Sequence, residues 1–404
     1  MSLRSFKTSL RLNNKQATLA AKHAGVARHA YNWGLATCFQ AVENKEKIPS
    51  AIDLHKKLVA EVKSIYDWYY EVSKCAPQQA LRNLSQAFLN WWKHKHCQKP
   101  VFKKKGRKDS FYLEGNIRIS GNKIKVPIFG WLSCDEILPA VTPKNVTISK
   151  RANKWYVSFR YEIEDIPTPK KAEKIGVDIG INALATCSNG ITFPNPKAYR
   201  KAKKRLARLQ RRVSRKQKTS NNRKKAVRQL AKLHKRISDI RRDNIHKITT
   251  YLAKNHGEVI IEDLNISGML KNHKLASAIA DCGFYEFRRQ LEYKTVWYGS
   301  KLTVADRFYP SSQICSNCGH RQKMPLKERV FKCQSCDNQV DRDLNASRNL
   351  EKWHIDISYP NTASLAEINA CGESKQQASK SSLGSLNQEV SFKPKQLSLF
   401  DLSV

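Results

Sequence analysis

Lys174-Ile175-Gly176-Val177-Asp178-Ile179-Gly180-Ile181-Asn182 is an apolar strand that ends on a carboxylate and a glycine turn. An acid emerging at such a point is poorly solvated unless it meets a cation. The plainer alternative is an aspartate hydrogen-bonded within its own turn. The strand opens a strand pair over residues 175–187, with Gly190 and a third strand behind it. Further on, residues 258–264 (Glu-Val-Ile-Ile-Glu-Asp-Leu) form a short buried strand. Glu262 closes its apolar run, and neighbouring Asp263 points to the opposite face. A third acidic group lies in Asp341-Arg342-Asp343-Leu344-Asn345-Ala346, where capping of a helix by Asp341 or Asp343 is the plain reading.

Taken together the acids say more. Asp178, Glu262 and Asp343 lie so far apart along the chain that they can meet only through the tertiary fold. Two acids on adjacent strands and one on a facing helix can hold two Mg²⁺ ions roughly 3.5–4 Å apart, one activating water and the other stabilising a leaving oxygen. Carboxylate and water ligands suit Mg²⁺ or Mn²⁺ rather than zinc.

Just before the third acid stand Cys315-x-x-Cys318 and Cys333-x-x-Cys336, two closely spaced pairs separated by a short loop. Two tight CxxC turns bring four thiolates to about 2.3 Å from one tetrahedral Zn²⁺. A redox dithiol is the competing reading. With both pairs present, a zinc ribbon is expected, its closed site structural and its short basic loop (His320, Arg321, Lys323) held in shape. The remaining cysteines are scattered, which suits a reducing intracellular compartment.

Charge names the class of partner. The chain carries 74 Lys and Arg against 34 Asp and Glu, a formal +40. No run of about 18 apolar residues exists to span a membrane, and nucleic acid is the natural counter-polyanion. Residues 197–242 concentrate the effect, a dense run of Lys and Arg broken by the single acid Asp239. Leu206, Leu209 and Val213, then Leu230, Leu233, Ile237 and Ile240, recur at helical steps, so two basic helices are predicted with a break at residues 219–222. Arg205, Arg208, Arg211, Arg212, Arg215, Arg241 and Arg242 are expected to grip phosphate backbone rather than read bases.

Upstream, residues 2–12 alternate like a strand and residues 14–97 are helical, including a stretch at 51–65 and a helix entered at Pro77. The basic, acid-free N-terminus superficially resembles a transit peptide, but the strand reading is preferred. The stripe Leu81, Leu84, Phe88, Leu89 and Trp92 is read as core. Tyr31, Trp33, Trp91, Trp92 and Tyr112 could otherwise stack bases. After a basic linker at 99–108 come two hairpins, residues 116–126 and 146–163, expected to form a barrel closed by the first strand. Residues 165–172 read as a linker, 281–298 as an amphipathic helix and 302–308 as a strand. The tail, 354–404, is Ser/Gln-rich toward its end, where acids and bases balance, and is expected to be disordered.

Gly-Val-Asp-Ile-Gly-Ile-Asn at 176–182, Ile-Ile-Glu-Asp-Leu at 260–264, Phe-Tyr-Pro-Ser-Ser-Gln-Ile-Cys-Ser-Asn-Cys-Gly at 308–319 and Asp-Arg-Asp-Leu-Asn-Ala-Ser-Arg-Asn-Leu at 341–350 resemble the TnpB proteins of bacterial insertion sequences. These are RNA-guided DNA nucleases related to type V CRISPR effectors, and the likeness extends to about residue 353. The resemblance implies an α+β multidomain protein with an RNase H-like (RuvC) nuclease core. Its triad would be Asp178, Glu262 and Asp343, the last chosen over Asp341 because the family's ligand precedes x-Asn-Ala. It further implies a wedge β-barrel (1–13 and 99–170) interrupted by a helical recognition domain (14–98). The nuclease would comprise 171–310 and 341–353, with the zinc ribbon at 311–340. Two Mg²⁺ or Mn²⁺ ions, one structural Zn²⁺, a transposon-end guide RNA and target double-stranded DNA are the implied cofactors and partners. A monomeric ribonucleoprotein at the prokaryotic nucleoid is the implied setting. A guide-independent strand transferase and a catalytically silent nucleic-acid-binding regulator remain alternatives. The length of the basic span suits a long structured RNA, and the intact acids count against the regulator.

Overall fold

Alternation of apolar and polar residues makes the N-terminus a strand, β1 (Ser2–Arg11), and Asn13 then caps a 30-residue helix, α1 (Asn14–Glu43), through a reciprocal capping box with Gln16. The computed structural model describes residues 2–164, 167–325 and 327–353. The tail from residue 354, for which the sequence predicts disorder, lies outside the described residues.

Helix α2 (Ala51–Lys57), one π-helical turn (Leu58–Val62) and α3 (Cys75–Lys93) complete the helical segment. Pro77 sits in the first turn of α3, where its missing N–H costs nothing. Of the predicted stripe, Leu81, Leu84 and Phe88 are buried, whereas Leu89 and Trp92 are exposed. Six strands follow: β2 (Ser110–Glu114), β3 (Arg118–Ser120), β4 (Lys123–Val126), β5 (Gly130–Cys134), β6 (Asn145–Arg151) and β7 (Lys154–Ile163). Ala152 and Asn153 both take positive φ, which lets a two-residue turn match the twist of the β6–β7 hairpin.

These strands and β1 form one antiparallel sheet in the order β2-β6-β7-β1-β5-β4-β3. The first strand, expected to close a barrel, is instead the middle strand, laddered to β7 from Ser2 to Leu10 and to β5 at its end. Nor is the helical segment a separate packing unit. One apolar core runs from Leu10 through Leu35, Leu81 and Phe88 to Ile148 and Phe159.

A second core begins with β8 (Ala172–Asp178), β9 (Ala183–Cys187) and β10 (Thr192–Pro194). The basic helices are α4 (Ala198–Ser214) and α5 (Asn221–Asn255), the second running well past the end of its charged part. Their facing leucines and isoleucines pair them, and the distal half of α5 joins the second core through Ile245, Ile248 and Leu252. Then come β11 (His256–Glu262), α6 (Ile266–Leu270), α7 (Ala276–Cys282), α8 (Phe284–Tyr298) and β12 (Lys301–Ala305). The helix predicted over 281–298 is thus broken. Gly283 takes φ +73°, a left-handed geometry that ends α7 and starts α8.

The second sheet has the order β10-β9-β8-β11-β12, with β8, β11 and β12 pairing in parallel and β9 running antiparallel to both of its neighbours, β8 and β10. Covered on both faces, β11 is continuously apolar at Val259, Ile260 and Ile261. A small hairpin of β13 (Val330–Lys332) and β14 (Gln339–Asp341) leads into α9 (Arg342–Lys352), which lies across β8. Its approach is close. A Cβ placed on Gly176 would stand 1.9 Å from the Ser347 carbonyl oxygen and 2.5 Å from the Glu351 nitrogen. Among the described residues no helix is long and apolar enough to cross a membrane.

Gly176→Ala should therefore cost about 3 kcal/mol or more, because backbone must move. Gly25→Ala, in an α1 site whose nearest neighbour would be 3.9 Å away, should stabilise by up to about 1 kcal/mol. Urea unfolding of both variants checks the pair of outcomes.

Candidate carboxylate site and nucleic-acid interface

Parallel pairing places Ile261 opposite Val177, so the next residues, Glu262 and Asp178, leave neighbouring strands at the same edge of the sheet. Helix α9 carries Asp343 in its first turn, above β8. Of the two acids that could cap this helix, Asp341 does so. Its Oδ1 accepts the N–H groups of Asp343 at 2.9 Å and Leu344 at 3.1 Å, which leaves the Asp343 carboxylate uncommitted to the cap. Asp263, the residue just past the strand, turns away and binds Arg288 at 2.6 Å and Arg307 at 2.5 Å.

The three acids share one electrostatic condition. Burial, and then repulsion from Asp343 and Glu262, push Asp178 up to about 7, with Arg342 opposing. Burial, followed by Asp263, raises Glu262, and burial, followed by Asp341, raises Asp343. Among the described residues no Lys or Arg forms an ion pair with Asp178 or Glu262, while Arg329 stands 3.9 Å from Asp343. Negative charge crowded into a partly dry site favours a cation, and an all-oxygen donor set suits a hard divalent one. The carboxylates stand wider apart than the cysteines. Among the described residues, only Cys315, Cys318, Cys333 and Cys336 make a set of three or more such ligands within 4.8 Å of one another.

Those four sulfurs lie crosswise, Cys315 to Cys336 at 3.7 Å and Cys318 to Cys333 at 3.5 Å. Burial alone would raise the Cys315 thiol, but the backbone N–H groups of Cys318 and Asn317 bring it down to about 6. Such a cluster is consistent with structural zinc.

Of the arginines expected on nucleic acid, Arg205, Arg208, Arg211, Arg212, Arg215 and Arg242 are exposed or half-buried along α4 and α5. Arg241 is not free. Its guanidinium pairs with buried Asp281 at 3.2 Å, and the same carboxylate accepts the N–H groups of Tyr199 and Arg200 at the start of α4. It therefore serves to hold the basic helices. A groove of about 610 Å³ between the first sheet, α1 and the α4–α5 turn is lined by Lys105, Lys150, Lys218, Arg223, Lys224 and Arg228. These bases come from segments distant in sequence, so composition gave no sign that they meet. Among the aromatics, Tyr31 is buried beneath Lys103, whereas Trp33 and Trp68 line a cavity of about 780 Å³ with His29 and Arg28.

Comparison with known proteins adds an independent line. A family described as "Probable transposase" matches residues 158–273, and one described as "Cas12f1-like, TNB domain" matches residues 284–350. A "Helix-turn-helix domain" family matches residues 1–47, which here fold as β1 and the single helix α1. A Streptomyces pristinaespiralis protein named "Putative RNA-guided DNA endonuclease" is 37% identical over 402 residues, 96% of each chain. An Escherichia coli (strain K12) protein named "Putative RNA-guided DNA endonuclease InsQ" is 34% identical over 374 residues, 86% of this chain and 91% of its own. Among solved structures, a Cas12f1–sgRNA–target DNA complex shares the fold at a TM-score of 0.55 and 16% identity, covering 84% of this chain and 83% of that one.

The raised Asp178 sets a pH signature. In Mg²⁺-free buffer the folded protein keeps a proton that an unfolded carboxylate of ordinary value, 3.8, releases. The linked stability is full below about pH 4 and is lost as pH rises through about 7. Urea unfolding of wild type and Asp178→Asn across that range should show wild type losing stability relative to the variant; a constant difference contradicts it.

Proposed function

The chain belongs to the TnpB family of RNA-guided DNA endonucleases, and from that premise we propose that it cuts DNA phosphodiesters at Asp178, Glu262 and Asp343 under the direction of a guide RNA. The observation that carries the reading is the meeting of three raised carboxylates at one sheet edge, from β8, β11 and α9. The order β10-β9-β8-β11-β12, in which β9 alone runs against the other four strands, supports an RNase H-like (RuvC) core for this half of the chain.

When bound, two Mg²⁺ or Mn²⁺ ions supply an activated water and neutralise charge at the leaving oxygen. Asp178, Glu262 and Asp343 would hold them from three elements that packing keeps in register. Arg329, near Asp343, and the exposed arginines of α4 and α5 would carry phosphates toward that edge. The four cysteines would hold one structural zinc ion. A guide RNA from the transposon end would lie along the basic helices, the N-terminal sheet and helices would read a short duplex motif, and base pairing would read the rest. On this reading the protein works with nucleic acid inside a prokaryotic cell, as a monomeric ribonucleoprotein.

RNA should co-purify with the full-length protein, and its affinity should fall steeply as salt rises. Reprogramming that RNA should redirect cleavage, and Asp178→Ala should lower the cleavage rate by about 1,000-fold or more with RNA still bound. Unimpaired cutting by Asp178→Ala would rule out the mechanism. Joining of transposon ends by RNA-free protein would favour the strand-transferase alternative.

A further inference from the structure

The helix that carries Asp343 is fastened to the cysteine ribbon at both of its ends. At the start there is no linker, because β14 of the ribbon ends at Asp341 and α9 begins at Arg342. The Arg342 N–H also donates to the Arg329 carbonyl of the same ribbon at 2.8 Å. Along the helix, two buried asparagines grip the backbone on either side of Cys315. The Ile314 carbonyl accepts Nδ2 of Asn345 at 2.7 Å and Nδ2 of Asn349 at 2.6 Å. Asn345 Oδ1 accepts the Ser316 N–H at 2.9 Å, Asn349 donates again to the Ser311 carbonyl at 2.7 Å, and Lys352 Nζ donates to the Ser316 carbonyl at 2.6 Å.

We propose that Asn345 and Asn349 are positioning residues that couple metal occupancy of the four-cysteine site to the placement of Asp343, and hence to divalent-cation binding at the carboxylates. The inference rests on the reading of Asp178, Glu262 and Asp343 as cation ligands. The ribbon cannot supply its own order. Its buried apolar cluster centres on Phe331 with Cys315 and Cys333, far less than a domain of that size needs, so the shape of the Cys315 turn follows metal binding. Asn345 is completely buried and Asn349 nearly so. If the backbone at 314–316 leaves its place, their amides lose their partners in a dry site, which is costly. Asp343 shares the first turns of α9 with Asn345, and Gly176 leaves the helix no slack against β8. A shift that re-satisfies the asparagines therefore moves the carboxylate.

The test measures Mn²⁺ binding to full-length protein freed of nucleic acid, by electron paramagnetic resonance, with Asp178→Ala defining the signal that belongs to the carboxylates. The double variant Asn345→Ala/Asn349→Ala should bind Mn²⁺ at least tenfold more weakly. In cleavage, its half-saturating Mg²⁺ concentration should rise by more than its maximal rate falls. If the variant does not fold, zinc is withdrawn from wild-type protein by chelation and one equivalent restored, with Mn²⁺ affinity expected to fall and then recover. Wild-type Mn²⁺ affinity in the double variant, or affinity unchanged through the zinc cycle, overturns the coupling. Absence of any Asp178-dependent Mn²⁺ binding in wild type overturns the carboxylate reading itself.

Discussion

The carboxylate site depends on one backbone contact, the seating of α9 against β8 at Gly176. No side chain fits there, since even a Cβ would fall 1.9 Å from the Ser347 carbonyl oxygen. The contact explains why α9 carries the small, buried Ser347 at this point rather than a large apolar residue. It also converts strand register into chemistry. Parallel pairing brings Glu262 level with Asp178, and the helix seated on β8 adds Asp343 from a segment far downstream in the chain.

Around that contact the molecule separates its charges. A chain with a formal charge of +40 gathers three raised carboxylates at one edge. Many of its basic residues elsewhere remain exposed on α4, α5 and the groove beside α1. Self-repulsion among the bases is relieved by a polyanion, and repulsion among the acids by divalent cations. On the proposed function, the same molecule would draw nucleic acid and divalent cations to different surfaces. Asp281 contributes by joining the start of α4 to Arg241 of α5, so the basic helices are anchored to the second core through a buried ion pair.

What the amino-acid order disclosed was mostly local. The CxxC pairs, the two hairpins, the break between the basic helices and the apolar strands ending in Asp178 and Glu262 all follow from spacing and periodicity over short windows. What it hid was set by partners distant in the chain. Arg241 looks like any other base of its run until Asp281, beyond the next strand, claims it. Gly283 reads as a tolerated helical glycine, and only its left-handed geometry divides α7 from α8. The place of β1 in the middle of its sheet, the single core shared by residues 10–159 and the asparagine grip on Ile314 are tertiary facts with no local signature. Asp341 and Asp343 are separable from the fold alone, since the cap bonds go to one of them.

The most direct measurement is an anomalous-diffraction map of the full-length protein crystallised with Mn²⁺. Mn²⁺ peaks are expected within coordinating distance of carboxylate oxygens from Asp178, Glu262 and Asp343, with a separate zinc peak among the four cysteines. Ordered Mn²⁺ elsewhere, with those three carboxylates bound only to protein groups or water, would contradict a metal-dependent cut at this edge of the sheet.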